Sequence, residues 1–107
     1  MRLPAAAIFG FRGPVLDRQE IGFFREVNPL GFVLFERNIC SPEQLRSLTR
    51  SLRDVSQRED VPILIDQEGG RVARLRTPHW RAALPAALFG DVSAQDNYIA
   101  CSITVKA

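Results

Sequence analysis

A chain of 107 residues, 46% of them hydrophobic and 24% charged, has the make-up of one compact α/β domain and is too short for two. Its formal net charge of +2, with Arg scattered among Glu and Asp and no block of five like charges, argues against nucleic acid or an acidic membrane as partner. No stretch approaches the roughly 18 to 20 apolar residues of a membrane span. Two cysteines, Cys40 and Cys101, are too few for a disulfide framework and lack metal-ligand spacing. Both are expected to be reduced thiols, which points to a cytoplasmic protein.

The chain opens with Met1-Arg2-Leu3-Pro4 and an apolar run over residues 5–9. One Arg ahead of small apolar residues has a faint likeness to a secretion signal, but the run is short, Pro4 interrupts it, and Gly10 and Arg12 close it. A strand buried on both faces is the better reading. Gly13-Pro14 marks a turn. Asp17 and Glu20 then have capping-box spacing, with Asp in place of the usual Ser or Thr. Ile21, Phe24 and Val27 follow at helical spacing, and Asn28-Pro29 stops that helix.

Residues 31–35, Gly-Phe-Val-Leu-Phe, predict the clearest strand: aromatic and branched, without polar alternation, so that both faces should be covered. Glu36-Arg37-Asn38 leaves its C-terminal end. Ser41-Pro42-Glu43-Gln44 predicts a helix start, with a Ser cap, Pro at the first helical position and Gln three after the cap. Leu45, Leu48, Leu52 and Val55 form one apolar stripe down that helix. Residues 61–65, Val-Pro-Ile-Leu-Ile, predict a third buried strand, with Pro62 tolerable near its start. The order β-α-β-α-β with apolar strands means a parallel sheet with helical crossovers, as in a (β/α)8 barrel or a doubly wound sheet; periodicity alone does not choose. Residues 74–80 read as loop, residues 82–89 as an Ala-rich patch around Pro85, and residues 98–105 as a strand or a short helix.

In parallel α/β folds functional groups gather where strands end. Asp66 is the first polar residue after Ile65; Glu68 and Arg71 follow on a loop that Gly69-Gly70 lets turn sharply, and Arg74 and Arg76 come next. A carboxylate with guanidinium groups around it suits a polyhydroxylated ligand, since each offers paired hydrogen bonds to neighbouring hydroxyls. Two other readings stand beside that one. Asp66 capping a turn with the arginines merely solvated is a plain structural alternative. A Gly-Gly phosphate cradle is a distant one, because the spacing matches neither a dinucleotide loop nor a P-loop.

Asp66-Gln67-Glu68-Gly69-Gly70-Arg71-Val72 after a buried strand resembles the signature of glycoside hydrolase family 3, and within it the bacterial β-N-acetylhexosaminidases that recycle peptidoglycan. Residues 31–38 are similar to that family's second strand and its exit, and Ser41-Pro42-Glu43-Gln44-Leu45 to the helix that follows. Arg74 stands three after Arg71, and Leu84-Pro85 also fits. The resemblance spans about residues 5–89 and implies the N-terminal portion, about three βα units, of a (β/α)8 TIM-type barrel. On that reading residues 1–90 are a partial barrel domain and residues 91–107 an unmatched tail. It also implies removal of terminal β-linked N-acetylglucosamine from cell-wall fragments, with Asp66 and Arg74 holding hydroxyls of the sugar rather than breaking the bond.

The same resemblance implies that the nucleophile, an Asp on a late strand, and the acid/base, a His on a mobile loop, belong to segments downstream of these residues. Asp66 and Glu68 leave one strand end on one loop and would approach a sugar from the same side, whereas a retaining glycosidase needs groups on both sides of the bond. His79, the only histidine, lies in Thr77-Pro78-His79-Trp80 and reads as a loop or packing residue. Trp80 reads as a gap filler sooner than a stacking platform. No catalytic residue is therefore assigned within the chain, and no metal or organic cofactor is implied, since such hydrolysis uses side chains and water. The competing expectation is an inert truncated remnant, or a weak sugar-binding or interaction module. In either case an open sheet of three or four parallel strands would leave apolar edges and faces uncovered, and the isolated chain should be marginally stable and prone to aggregate or dimerise.

Overall fold

The computed structural model describes residues 2–85, which fall into two compact units, Met1–Ile65 and Asp66–Ala107. The Ala-rich patch beyond Pro85, the 98–105 segment, Cys101 and the 91–107 tail lie outside the described residues.

The first unit runs β1 (Ala5–Phe9), α1 (Arg18–Val27), β2 (Pro29–Leu34), a 3-10 turn (Glu36–Asn38), α2 (Pro42–Ser56) and β3 (Ile63–Ile65). The strands form one sheet in the order β1-β2-β3, parallel throughout. Phe9 lies beside Phe32, and Phe32 beside Ile63.

Both helices start and stop where the side chains dictate. Asp17 accepts the Glu20 backbone N–H at 2.8 Å while the Glu20 carboxylate accepts the Asp17 N–H at 3.2 Å, a complete capping box. At α2 the Ser41 hydroxyl accepts the Gln44 N–H at 3.1 Å, and Pro42 takes the first helical turn, where no amide hydrogen is required. Asn28 and Gln57 close the helices in the left-handed region, at φ 53° and 56°. Gln57 carries no glycine or asparagine signal, which is why the end of α2 is hard to place from sequence.

Phe24 of α1 and Leu48, Leu52 and Val55 of α2 bury against Phe32 and Leu34 of β2, with Phe11, Leu16 and Val61 completing the core. Phe32 and Leu52 are fully buried, and each contributes about 1.5–3 kcal/mol of hydrophobic stabilisation. Phe32 meets Phe24 edge-to-face at 5.1 Å and Phe11 at 6.4 Å, the geometry that places a ring's positive edge on a neighbour's negative face.

Two expectations are corrected here. β2 begins at Pro29, directly after the helix stop, and ends at Leu34, because Phe35 already turns into Glu36–Asn38. Pro29 is admissible as a first strand residue, where the missing N–H leaves no gap inside the ladder. β3 is three residues, since Val61 and Pro62 precede the paired stretch. One sheet face of the first unit is left uncovered, as expected of an open sheet of three strands. Phe9, Phe32, Leu34, Ile63 and Ile65 turn toward the helices, while Ile8 and Leu64 between them are each 46% exposed. Both helices feed one core on one side of the sheet, so the alternate positions stay open although their side chains are apolar.

Candidate functional site

At the C-terminal ends of β1 and β2 the first unit is tied by polar side chains rather than apolar ones. Asn38 is fully buried. Its Nδ2 donates to the carbonyls of Phe11 at 3.3 Å and Gly13 at 2.8 Å, and its Oδ1 accepts the Phe35 N–H at 2.8 Å. Arg37 donates from Nε to the Phe11 carbonyl at 3.0 Å and lies 4.8 Å from the Phe35 ring centroid. Gln44 donates to the Pro14 and Asn38 carbonyls, both at 2.8 Å. The loop after β1 is thereby fixed to the exit of β2, and the buried amide of Asn38 has a partner for every polar atom.

The second unit starts at Asp66, the residue after β3, and is held almost wholly by backbone and one amide side chain. Glu68 and Gly69 donate to the Val72 carbonyl at 2.9 and 3.1 Å, which closes a tight reversal with Arg71 at its tip. Gly69 sits at φ 88°, and a Cβ there would lie 2.3 Å from the Leu84 carbonyl oxygen, so only glycine fits. Gly70 donates to Ala83 at 3.0 Å. The Gly-Gly pair therefore serves a sharp turn packed on residues 83–85, as its sequence suggested.

Gln67 organises the rest of the loop. Its Oε1 accepts the backbone N–H groups of Arg74 at 2.9 Å and Leu75 at 3.1 Å, and its Nε2 donates to the Leu75 carbonyl at 3.0 Å. Gln67, which follows Asp66 in the chain, thus binds the backbone of Arg74. Asp66 is exposed and takes no hydrogen bond or ion pair among the described residues. Arg74 is half-buried, and its Nε is buried without a hydrogen-bond partner among those residues. A free carboxylate and an unsatisfied guanidinium N–H on one braced loop can present an acceptor and a donor to a hydroxylated ligand.

Other candidates sort differently. Arg76 donates from Nε to the Ala73 carbonyl at 2.9 Å and is a strut of the loop. His79 is exposed, and its ring meets the half-buried Trp80 edge-to-face at 5.8 Å, a loop pair. Arg71 and Glu68 are exposed. A small hollow of about 160 Å³ in this unit is lined by Gly70, Ala73, Leu75, Thr77 and Ala83, and by neither Asp66 nor Arg74. In the first unit a larger hollow of about 640 Å³ is bordered by Arg2, Arg25, Asn28, Arg58 and Asp60. Two of its basic residues are engaged in part: Arg2 donates to the carbonyls of Arg25 and Glu26 at the end of α1, and Arg58 to those of Pro29 and Leu30, while Arg58 Nε is buried without a partner among the described residues. Cations at a helix C-terminus complement its dipole, and that structural duty accounts for Arg2. Cys40 is exposed, and among the described residues no cluster of three metal-ligating side chains occurs.

Sequence reasoning located the Gly-Gly turn but not the bracing roles of Gln67 and Asn38. Both amides work through the backbone of other segments, and a lone Gln or Asn in a polar stretch carries no periodicity to flag it.

No protein-family model matches the chain. A β-hexosaminidase of Alkalilimnicola ehrlichii is 38% identical over 81 residues, covering 76% of this chain and 23% of that protein. A glycoside hydrolase family 3 β-N-acetylglucosaminidase from Paenibacillus sp. is 25% identical with a TM-score of 0.73, over 84% of this chain and 18% of that one. NagZ from Neisseria gonorrhoeae, solved with N-trifluoroacetyl-D-glucosamine, shares the fold at a TM-score of 0.73 and 24% identity over 89% of this chain and 29% of that one. The chain thus spans about a quarter of the curated relatives it matches. By that similarity it belongs, as a segment, to the β-hexosaminidases of glycoside hydrolase family 3.

Proposed function

We propose that this chain supplies part of the sugar subsite of a glycosidase that removes terminal β-linked N-acetylglucosamine from cell-wall fragments, in cytoplasmic recycling of peptidoglycan. The observation that carries the reading is an exposed Asp66 carboxylate and a buried Arg74 Nε, both without a partner among the described residues, on one braced loop directly after a parallel strand. Asp66 accepts hydrogen bonds from sugar hydroxyls and Arg74 donates to them, so the two orient the ring without attacking it. Cleavage requires a nucleophile and an acid/base on either side of the glycosidic bond. Asp66 and Glu68 share one short loop and do not fill both roles, so the reacting groups come from outside this segment.

The parallel order β1-β2-β3, with both helices on one face, supports reading the sheet as the first strands of a (β/α)8 barrel. The row containing Ile8 and Leu64 would then face the barrel interior. In the isolated chain that row and the sheet edges would favour self-association, which light scattering against concentration would reveal.

The test is titration of the chain with N-acetylglucosamine by NMR, beside hydrolysis of a chromogenic β-N-acetylglucosaminide. Sugar-dependent shifts that vanish in Asp66→Ala, with no turnover from either protein, are expected. Turnover by the wild-type chain would show a working nucleophile and acid within it. Shifts that persist in Asp66→Ala would remove that residue from the subsite.

A further inference from the structure

We infer that Gln67 is the positioning residue of this subsite: it sets where the Arg74 guanidinium points by holding the Arg74 backbone. The inference rests on the sugar-binding reading of Asp66 and Arg74. Nothing in the residue type of Gln67 requires such a role, and an exposed loop glutamine ordinarily hydrogen-bonds to water. Here all three of its hydrogen bonds go to the main chain of residues 74 and 75, at 2.9, 3.1 and 3.0 Å, across a sequence gap of seven and eight residues. One amide group accepts two adjacent N–H groups and donates to the carbonyl of the second residue, so Arg74 and Leu75 are held as a rigid pair. These bonds are the ones that connect the start of the loop at Asp66 with Arg74 among the described residues, since the Glu68 and Gly69 bonds reach only Val72.

The consequence falls on Arg74. Its Nε is buried without a partner among the described residues, a state that costs free energy unless a ligand group or water completes it. Freed at its backbone, Arg74 would turn that group to solvent and satisfy it there. The clamp of Gln67 keeps the unsatisfied donor away from bulk water, on the loop that opens at Asp66, one residue before Gln67 in the chain. Preorganisation of this kind raises affinity by removing the cost of ordering the donor on binding. A side chain of similar size with neither the carbonyl oxygen nor the amide nitrogen loses the bonds to both N–H groups and to the Leu75 carbonyl at once.

The decisive experiment compares the full chain with Gln67→Leu and Gln67→Glu. Three quantities are read: amide hydrogen exchange, the Arg74 Nε–H resonance, and the Kd for N-acetylglucosamine. In Gln67→Leu the Arg74 and Leu75 amides should exchange faster while those of Glu68 and Gly70, bonded to Val72 and Ala83, keep their rates. The Kd should rise about tenfold or more, as misplacing a positioning group does. Gln67→Glu keeps an oxygen for both amides and should restore their protection and most of the affinity, which a general loss of loop structure would not allow. Unchanged Arg74 and Leu75 exchange in Gln67→Leu, or unchanged affinity in that variant while wild type binds, would overturn the positioning role alone. Absence of N-acetylglucosamine binding and of any Arg74 Nε–H shift in wild type would overturn the sugar-binding reading and the role built on it.

Discussion

Between β1 and β3 the chain is held by Phe24, Phe32, Leu48 and Leu52 packed in one core, whereas between Asp66 and Pro85 it is held by Gly69, Gly70 and the amide of Gln67. Apolar packing spreads over many neighbours, and each contact tolerates small errors in position. A loop braced by one side chain and two glycines concentrates its order in a few atoms. Among the described residues that arrangement makes no use of the Asp66 carboxylate or the Arg74 Nε. The first unit is ordered by apolar burial; residues 66–85 are ordered mainly by hydrogen bonds and tight turns. The variants below separate the two.

The largest effect is expected from Phe32→Ala, which removes the fully buried ring that joins Phe11, Phe24 and the strand row. A loss of about 3–5 kcal/mol, read by urea denaturation, is expected, and it should abolish the cooperative transition of a small domain with little stability to spare. Survival of a sharp transition shifted only slightly would mean that the core lies elsewhere.

Asn38→Ala comes next, at about 1–3 kcal/mol. It leaves the Phe35 N–H without its acceptor and the carbonyls of Phe11 and Gly13 without a donor. Arg37 still reaches Phe11, which tempers the cost at that carbonyl. Comparable destabilisation from Asn38→Asp would confirm that the Nδ2 donation matters, since Asp keeps the acceptor and loses the donors.

Gly69→Ala is expected to break the comparison in the other direction. Its Cβ would meet the Leu84 carbonyl oxygen at 2.3 Å with the backbone at φ 88°, a strain on the order of 1–3 kcal/mol. The cost should fall on the second unit: sugar-dependent shifts and protection of the Glu68 and Gly70 amides should disappear, while the urea midpoint of the first unit moves little. A common shift of both would mean that the two units unfold together.

These outcomes also mark what the sequence discloses. β1 is legible to the residue, and both helix starts are legible through Asp17 and Ser41, because capping needs particular atoms at fixed spacing. The ends of β2 and β3 shift by one or two residues, because Phe35 and Val61 are as apolar as true strand residues and only hydrogen bonding separates them. Exposure of Ile8 and Leu64 is legible only from the shortness of the sheet: an apolar side chain says that it prefers burial, not that this stretch of chain buries it. At the site, Asp66 is legible because it ends an apolar run, and Gly69 because a paired glycine signals a turn. Gln67 is not, since its role depends on where Arg74 and Leu75 return in space.

Ser41→Ala should have the smallest effect of the series, about 1 kcal/mol in the urea transition of the first unit. Only one half of the capping box is lost. The Ser41 hydroxyl no longer accepts the Gln44 N–H, but Gln44 keeps its own bonds to the Cys40 N–H at 2.7 Å and to the Pro14 and Asn38 carbonyls. Ser41→Gly should cost only a few tenths of a kcal/mol, because glycine leaves the N–H groups of the first turn open to water. Gln44→Ala should therefore exceed Ser41→Ala, since it removes four bonds that fasten α2 to the loop after β1 and to the exit of β2. In both, the Arg74 and Leu75 amides should exchange at the wild-type rate. Faster exchange there would show that order in the binding loop is drawn from the packed unit and not from Gln67.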